Sequence, residues 1–219
     1  MEFAFTPERR RDACIHESAH AITHALGGIP VEQLSVLPVG LMLLDDKSDQ
    51  CGYCKVDPHP AAFFIAWQND KSIFNINKAG LVSFIKQCER QAPRYNGCLL
   101  STEVWRQLRV HVCSLLAGET AQAIYRSSLP IFTRRCIGMP TDLDYATAYC
   151  ALLPFRNEFD HLVSETERVL RLPEVWESVV KLANILEQVG TLGEGGKEIP
   201  YLPEPLKSWP KSLRSKHRD

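Results

Sequence analysis

The chain of 219 residues is 45% hydrophobic and 23% charged, with a formal net charge of −1. That length and apolar content suit one globular domain with a real core, and the balanced charge excludes the basic surface by which a nucleic-acid backbone is held. No apolar run approaches the roughly 20 residues of a bilayer-spanning helix, so no membrane partner is expected.

The opening MEFAFTPERRRDA has no apolar stretch of the secretory kind, which predicts a cytoplasmic protein. In that reducing compartment the eight scattered cysteines are expected as free thiols. Thr6-Pro7-Glu8 reads as a helix start, with a hydroxyl cap, a proline in first position and an acid in the first turn. Ile15, Ala19, Ile22 and Leu26 carry that helix to Gly27-Gly28. The stretch PVEQLSVLPVG, with Val31, Leu34 and Val36, predicts a strand, and QCGYCKVDP is its candidate partner across the polar loop DDKSDQ. FFIAW, within residues 57–77, fits either a strand or a buried helical turn. A helix is expected over 77–91, with APRYNG as loop after it.

From Ser101 to about Arg126 the spacing predicts a long helix with Val104, Trp105, Leu108, Val112, Leu115 and Leu116 on one face and Ser101-Thr102-Glu103 as its cap. SSLPIFTRRCIGMP is a loop. A helix starting at Thr141-Asp142 carries Leu143, Ala146, Ala148 and Ala151 and ends near Pro154, and two more follow at about 158–171 and 174–189. From Gly190 onward the Gly- and Pro-rich sequence predicts an extended tail. Its basic residues (Lys207, Lys211, Arg214, Lys216, Arg218) read as a solvated terminus. The expected fold is mainly α with a small β-sheet.

The first helix contains His16-Glu17-Ser18-Ala19-His20. Residues i and i+4 share a helix face, so His16 and His20 can offer nitrogens to one tetrahedral Zn²⁺. Glu17, beside the first ligand, is placed to act as general base on water activated by the metal and then as proton donor to a leaving amine. A catalytic zinc site needs a third protein ligand. His24 lies about 12 Å along the axis from His16, too far to share an ion with both histidines. Glu119, Asp142 and Asp144 on later helices are the candidates.

Four blocks carry a family resemblance: HESAHA at 16–21, VEQLSVLPVG at 31–40, LLAGETAQAIY at 115–125 and GMPTDLDYATAYC at 138–150. In order and helical context they resemble the peptidase domain of the FtsH family of zinc metalloproteases. The resemblance implies a zincin-like helical peptidase fold and makes Asp142 the third zinc ligand, with Asp144 facing the other side of its helix. It also places Gln122 where the family has a supporting glutamate, with Glu119 nearby as a second supporting candidate, and Ala19 where the family has glycine. No Gly-rich phosphate loop and no membrane anchor accompany these blocks, which implies a stand-alone, ATP-independent metallopeptidase for flexible or short polypeptides. Residues 1–190 then form the peptidase-like domain, with a probable insertion at about 57–98, and 191–219 a tail.

Two other functions use the same features: a catalytically inactive, zinc-containing domain that binds a protein partner, and a zinc hydrolase of a non-peptide amide. Glu17 argues against the first, because a structural zinc site has no use for that carboxylate. Cys51-Gly52-Tyr53-Cys54 has the spacing of a second metal or redox pair, to which Cys88 or Cys98 would have to contribute, and reads more simply as two thiols at a hairpin turn. His59 and His111 are isolated, and Phe63, Phe64 and Trp67 read as core.

Overall fold

Thr6 caps the first helix, α1 (Pro7–Leu26), its hydroxyl oxygen accepting from the Arg9 N–H at 3.3 Å, with Pro7 and Glu8 in the first turn as expected. A computed structural model of the chain describes residues 3–40, 42–43, 51–56, 78–95, 97–128, 141–206 and 209–210. In it α1 is covered on nearly every side: Cys14, Ile15, Ala19, Ala21 and Ile22 have no exposed surface. Small side chains on several faces let neighbouring elements approach this helix, which makes it the centre of the molecule rather than an amphipathic surface helix.

The described residues are mainly helical with a small antiparallel sheet. A two-residue pairing joins β1 (Phe3–Ala4) to β3 (Met42–Leu43). β2 (Val31–Val36) pairs with β4 (Gly52–Val56), Leu34 opposite Cys54 and Val36 opposite Gly52, so the expected strand pair is present. α2 (Lys78–Gln91) follows close to its expected span. Where a loop is expected after it, β5 (Arg94–Tyr95) pairs antiparallel with β6 (Cys98–Leu99).

α3 (Leu100–Tyr125) is the long helix. Its start differs from the expected Ser-Thr-Glu cap: Leu99 occupies the cap position without a side-chain bond, and the Ser101 N–H and hydroxyl both donate to Glu89 of α2 at 3.2 and 2.7 Å. A carboxylate from another helix thus answers the positive end of α3. Glu103 turns instead to Arg106 and Gln107.

α4 (Asp142–Cys150), α5 (Glu158–Leu170) and α6 (Pro173–Val189) complete the helices. α1 packs chiefly on α3 and α6, and α3 also carries α4 and α5. The chain after Gly190 is not a free tail. β7 (Thr191–Leu192) adds to β2, Ile199 and Trp209 are buried, and the Leu206 N–H donates to the Leu26 carbonyl at 2.8 Å. Apolar residues among the glycines and prolines fold this segment back onto the core, which composition alone does not reveal. FFIAW, His59, Phe63, Phe64, Trp67 and the basic residues after Leu206 lie outside the described residues. No helix among the described residues is long and apolar enough to cross a membrane.

Candidate metal centre

α1 and the first turn of α4 bring together one cluster able to hold a metal ion among the described residues: His16, His20 and Asp142, with one ligand atom from each and all within 4.8 Å of one another. The Nε2 atoms of His16 and His20 lie 3.1 and 3.3 Å from the same oxygen, Asp142 Oδ2. Ligands held about 2.0–2.1 Å from a tetrahedral ion such as zinc stand about 3.3 Å apart, so the donor set fits the group that the sequence suggests.

α3 fixes both imidazoles. His20 Nδ1–H donates to the Ser114 carbonyl at 2.6 Å, and the Ser114 hydroxyl donates back to the His20 carbonyl at 3.2 Å. With the proton on Nδ1, the Nε2 lone pair is left for a metal. One turn on, Gly118 makes the slot for His16: a methyl group at Gly118 would come within 2.3 Å of the imidazole. Neither Ser114 nor Gly118 was singled out from the sequence. Their signal is a contact between helices about a hundred residues apart, and only the Gly118 block hints at it.

Glu17, the next residue along α1, packs against β4 within range of the charges of the cluster. A side-chain carbon at Gly52 would lie 2.7 Å from Glu17 Cγ and 2.9 Å from its Oε1, so only a glycine lets the strand pass this close to the carboxylate. Glu17 is 7% exposed. Burial pushes its carboxyl above the ordinary value, the charges of His20 and His16 oppose that, and Asp142 adds to it; the net direction is up.

Burial works against charge on Asp142 too, but hydrogen bonds from His16 and His20 outweigh it and hold the carboxyl far below the usual carboxylate range. Burial likewise disfavours charge on His20, yet the hydrogen bond and charge of Asp142, the charge of Glu17 and the Ser114 carbonyl push it up to about 9. At neutral pH the ring therefore carries a second proton, which a divalent ion would displace on binding. The Asp142 side chain, 35% exposed, is the open side of the cluster.

The remaining candidates have other partners. Asp144 closes a capping box, accepting from the Thr141 N–H at 3.0 Å while its own N–H donates to the Thr141 hydroxyl, which settles it away from the cluster. The Gln122 amide donates to the Asp12 carbonyl at 3.1 Å rather than to a histidine, and Glu119 acts on Arg126 through its charge. His24 packs against His111, ring centroids 5.5 Å apart, and His111 against Tyr149.

Cys51 and Cys54 are in no disulfide, and neither are the other cysteines among the described residues. They do not flank a turn. The extended chain of β4 separates them by about 10 Å, beyond the reach of a disulfide. Cys54 faces α1 instead, where burial, and then the Glu17 charge, pushes its thiol up. Compared with models of known protein families the chain matches none, and compared with curated proteins it also matches none.

Proposed function

We propose that this chain is a zinc-dependent metallopeptidase, with an FtsH-type zincin-like fold, that hydrolyses peptide bonds without ATP. The observation that carries this reading is geometric: two imidazoles and one carboxylate offer ligand atoms within 4.8 Å of one another, and the buried Glu17 carboxylate follows the first of them on α1. His16, His20 and Asp142 would hold the zinc, which when bound lowers the pKa of water to about 7 and polarises a carbonyl. Glu17 accepts the proton of the attacking water at its carboxylate and delivers it to the departing amine. Ser114 and Gly118 keep the two imidazoles in place and so spare the site a reorganisation during turnover.

The same residues would serve a non-peptide amide; the sheet favours a polypeptide. Among the described residues β4 pairs only with β2, leaving one backbone edge open on the strand against which Glu17 packs. An extended peptide adds naturally to such an edge. The resemblance of residues 16–21, 115–125 and 138–150 to FtsH-family peptidase blocks supports the same reading.

The test is hydrolysis of a labelled, unfolded protein by the zinc-loaded chain, with Glu17→Gln alongside. The variant should lose about 10²–10⁴-fold in turnover while keeping its metal. Undiminished turnover in Glu17→Gln would remove Glu17 from the mechanism.

A further inference from the structure

A second concave site lies between the first turns of α1, strand β2 and the end of α6. It is a cavity of about 400 Å³ that shares no lining residue with the metal cluster. That volume is ample for a small organic ligand. Its lining carries one positive charge, Arg10, and no negative one.

Arg10 is only partly satisfied by the protein. Nη2 donates to the Glu187 carbonyl at 2.8 Å, at the negative end of α6. Nε is buried and has no hydrogen-bond partner among the described residues. The Glu187 carboxylate pairs with Arg11 at 3.0 Å. The adjacent Cys14 thiol, which burial pushes up to about 11, is neutral at physiological pH. Among the described residues no carboxylate forms an ion pair with Arg10, and a full anion in the cleft would complete it.

The rest of the wall indicates what kind of anion. The Ser35 and Thr191 hydroxyls hydrogen-bond each other at 3.0 Å, and two hydroxyls sharing one bond keep one O–H to give. Gln188 adds an amide, while Leu37, Pro38 and the exposed Val189 supply apolar surface. We propose that this cleft binds a carboxylate carried on an apolar body, as in an N-acyl amino acid or the last residue of a peptide. Arg10 and the hydroxyl pair hold the carboxylate, and Leu37, Pro38 and Val189 hold the apolar part. The site is independent of the metallopeptidase reading.

The experiment is calorimetric titration of the full chain with N-acetyl-leucine, N-acetyl-leucinamide and acetate. N-acetyl-leucine should bind saturably, and both the amide and the Arg10→Gln variant should bind about ten- to a hundredfold more weakly, as loss of a charge-assisted hydrogen bond predicts. Arg10→Gln also removes a cap from α6, so its circular dichroism is compared with wild type. Thr191→Val, which keeps the side-chain shape, should weaken binding about fivefold and carries the test if Arg10→Gln does not fold. Equal binding of the amide, acetate binding as tightly as N-acetyl-leucine, or no saturable binding to the wild type would each overturn the proposal. So would binding that both variants leave unchanged, which would put the carboxylate elsewhere, for instance at the metal cluster.

Discussion

Two groups of buried charge sit on α3 and its neighbours, and they are built on opposite principles. Arg109 of α3 and Glu158 of α5 meet as a fork: Nε to Oε2 at 2.6 Å and Nη2 to Oε1 at 2.9 Å, with Glu158 fully buried. Every charge there has its counterpart and its hydrogen bonds. Around α1 the compensation is incomplete. Two carboxylates, Asp142 and Glu17, face two imidazoles, and Glu17 is held by the charges of His20 and His16 with no hydrogen bond among the described residues. Complete compensation joins two helices; incomplete compensation shifts pKa values and leaves donors for a ligand.

That contrast can be broken by substitution. Glu158→Ala leaves the Arg109 guanidinium buried and alone, and should destabilise the chain by about 3–5 kcal/mol in urea unfolding. Glu17→Gln, by the same measurement, should change stability by less than about 1 kcal/mol in either direction, because it relieves a burial penalty rather than breaking a pair. Comparable losses in the two variants would erase the distinction between the clusters.

Gly118→Ala sharpens the account of the metal cluster. Helix propensity favours alanine, but the methyl group would displace the His16 ring, so metal affinity should fall about 10–100-fold in a chelator competition while the chain stays folded. Unchanged affinity would mean that α3 does not set the His16 position. The smallest effect expected is that of Asp144→Ala. It removes a capping partner and should cost about 1 kcal/mol in thermal unfolding, with metal content untouched.

Much of this arrangement is legible in the residues. Thr6-Pro7-Glu8 marks the start of α1, the His-Glu-x-x-His spacing puts two imidazoles on one face, and β2 with β4 follows from alternation and a polar loop. These are local signals, carried by residues a few positions apart. What escapes is the chemistry of distant contacts. Asp142 meets His16 across 126 positions and Ser114 meets His20 across 94, and periodicity carries no record of either pairing. Asp142 was reached through resemblance; Gly118 and Gly52 act by having no side chain where another element passes, and a glycine in sequence does not say what it makes room for. The segment after Gly190 shows the same limit: Gly and Pro dominate its composition, while a few apolar residues (Leu192, Ile199, Trp209) decide that it packs.

The most direct test of the account is zinc per chain, by elemental analysis of the purified wild type and of Asp142→Ala after equilibration with equal zinc. The three-ligand centre predicts close to one zinc in the wild type and its loss in Asp142→Ala. Zinc retained in full by Asp142→Ala, or none bound by a folded wild type, would contradict it.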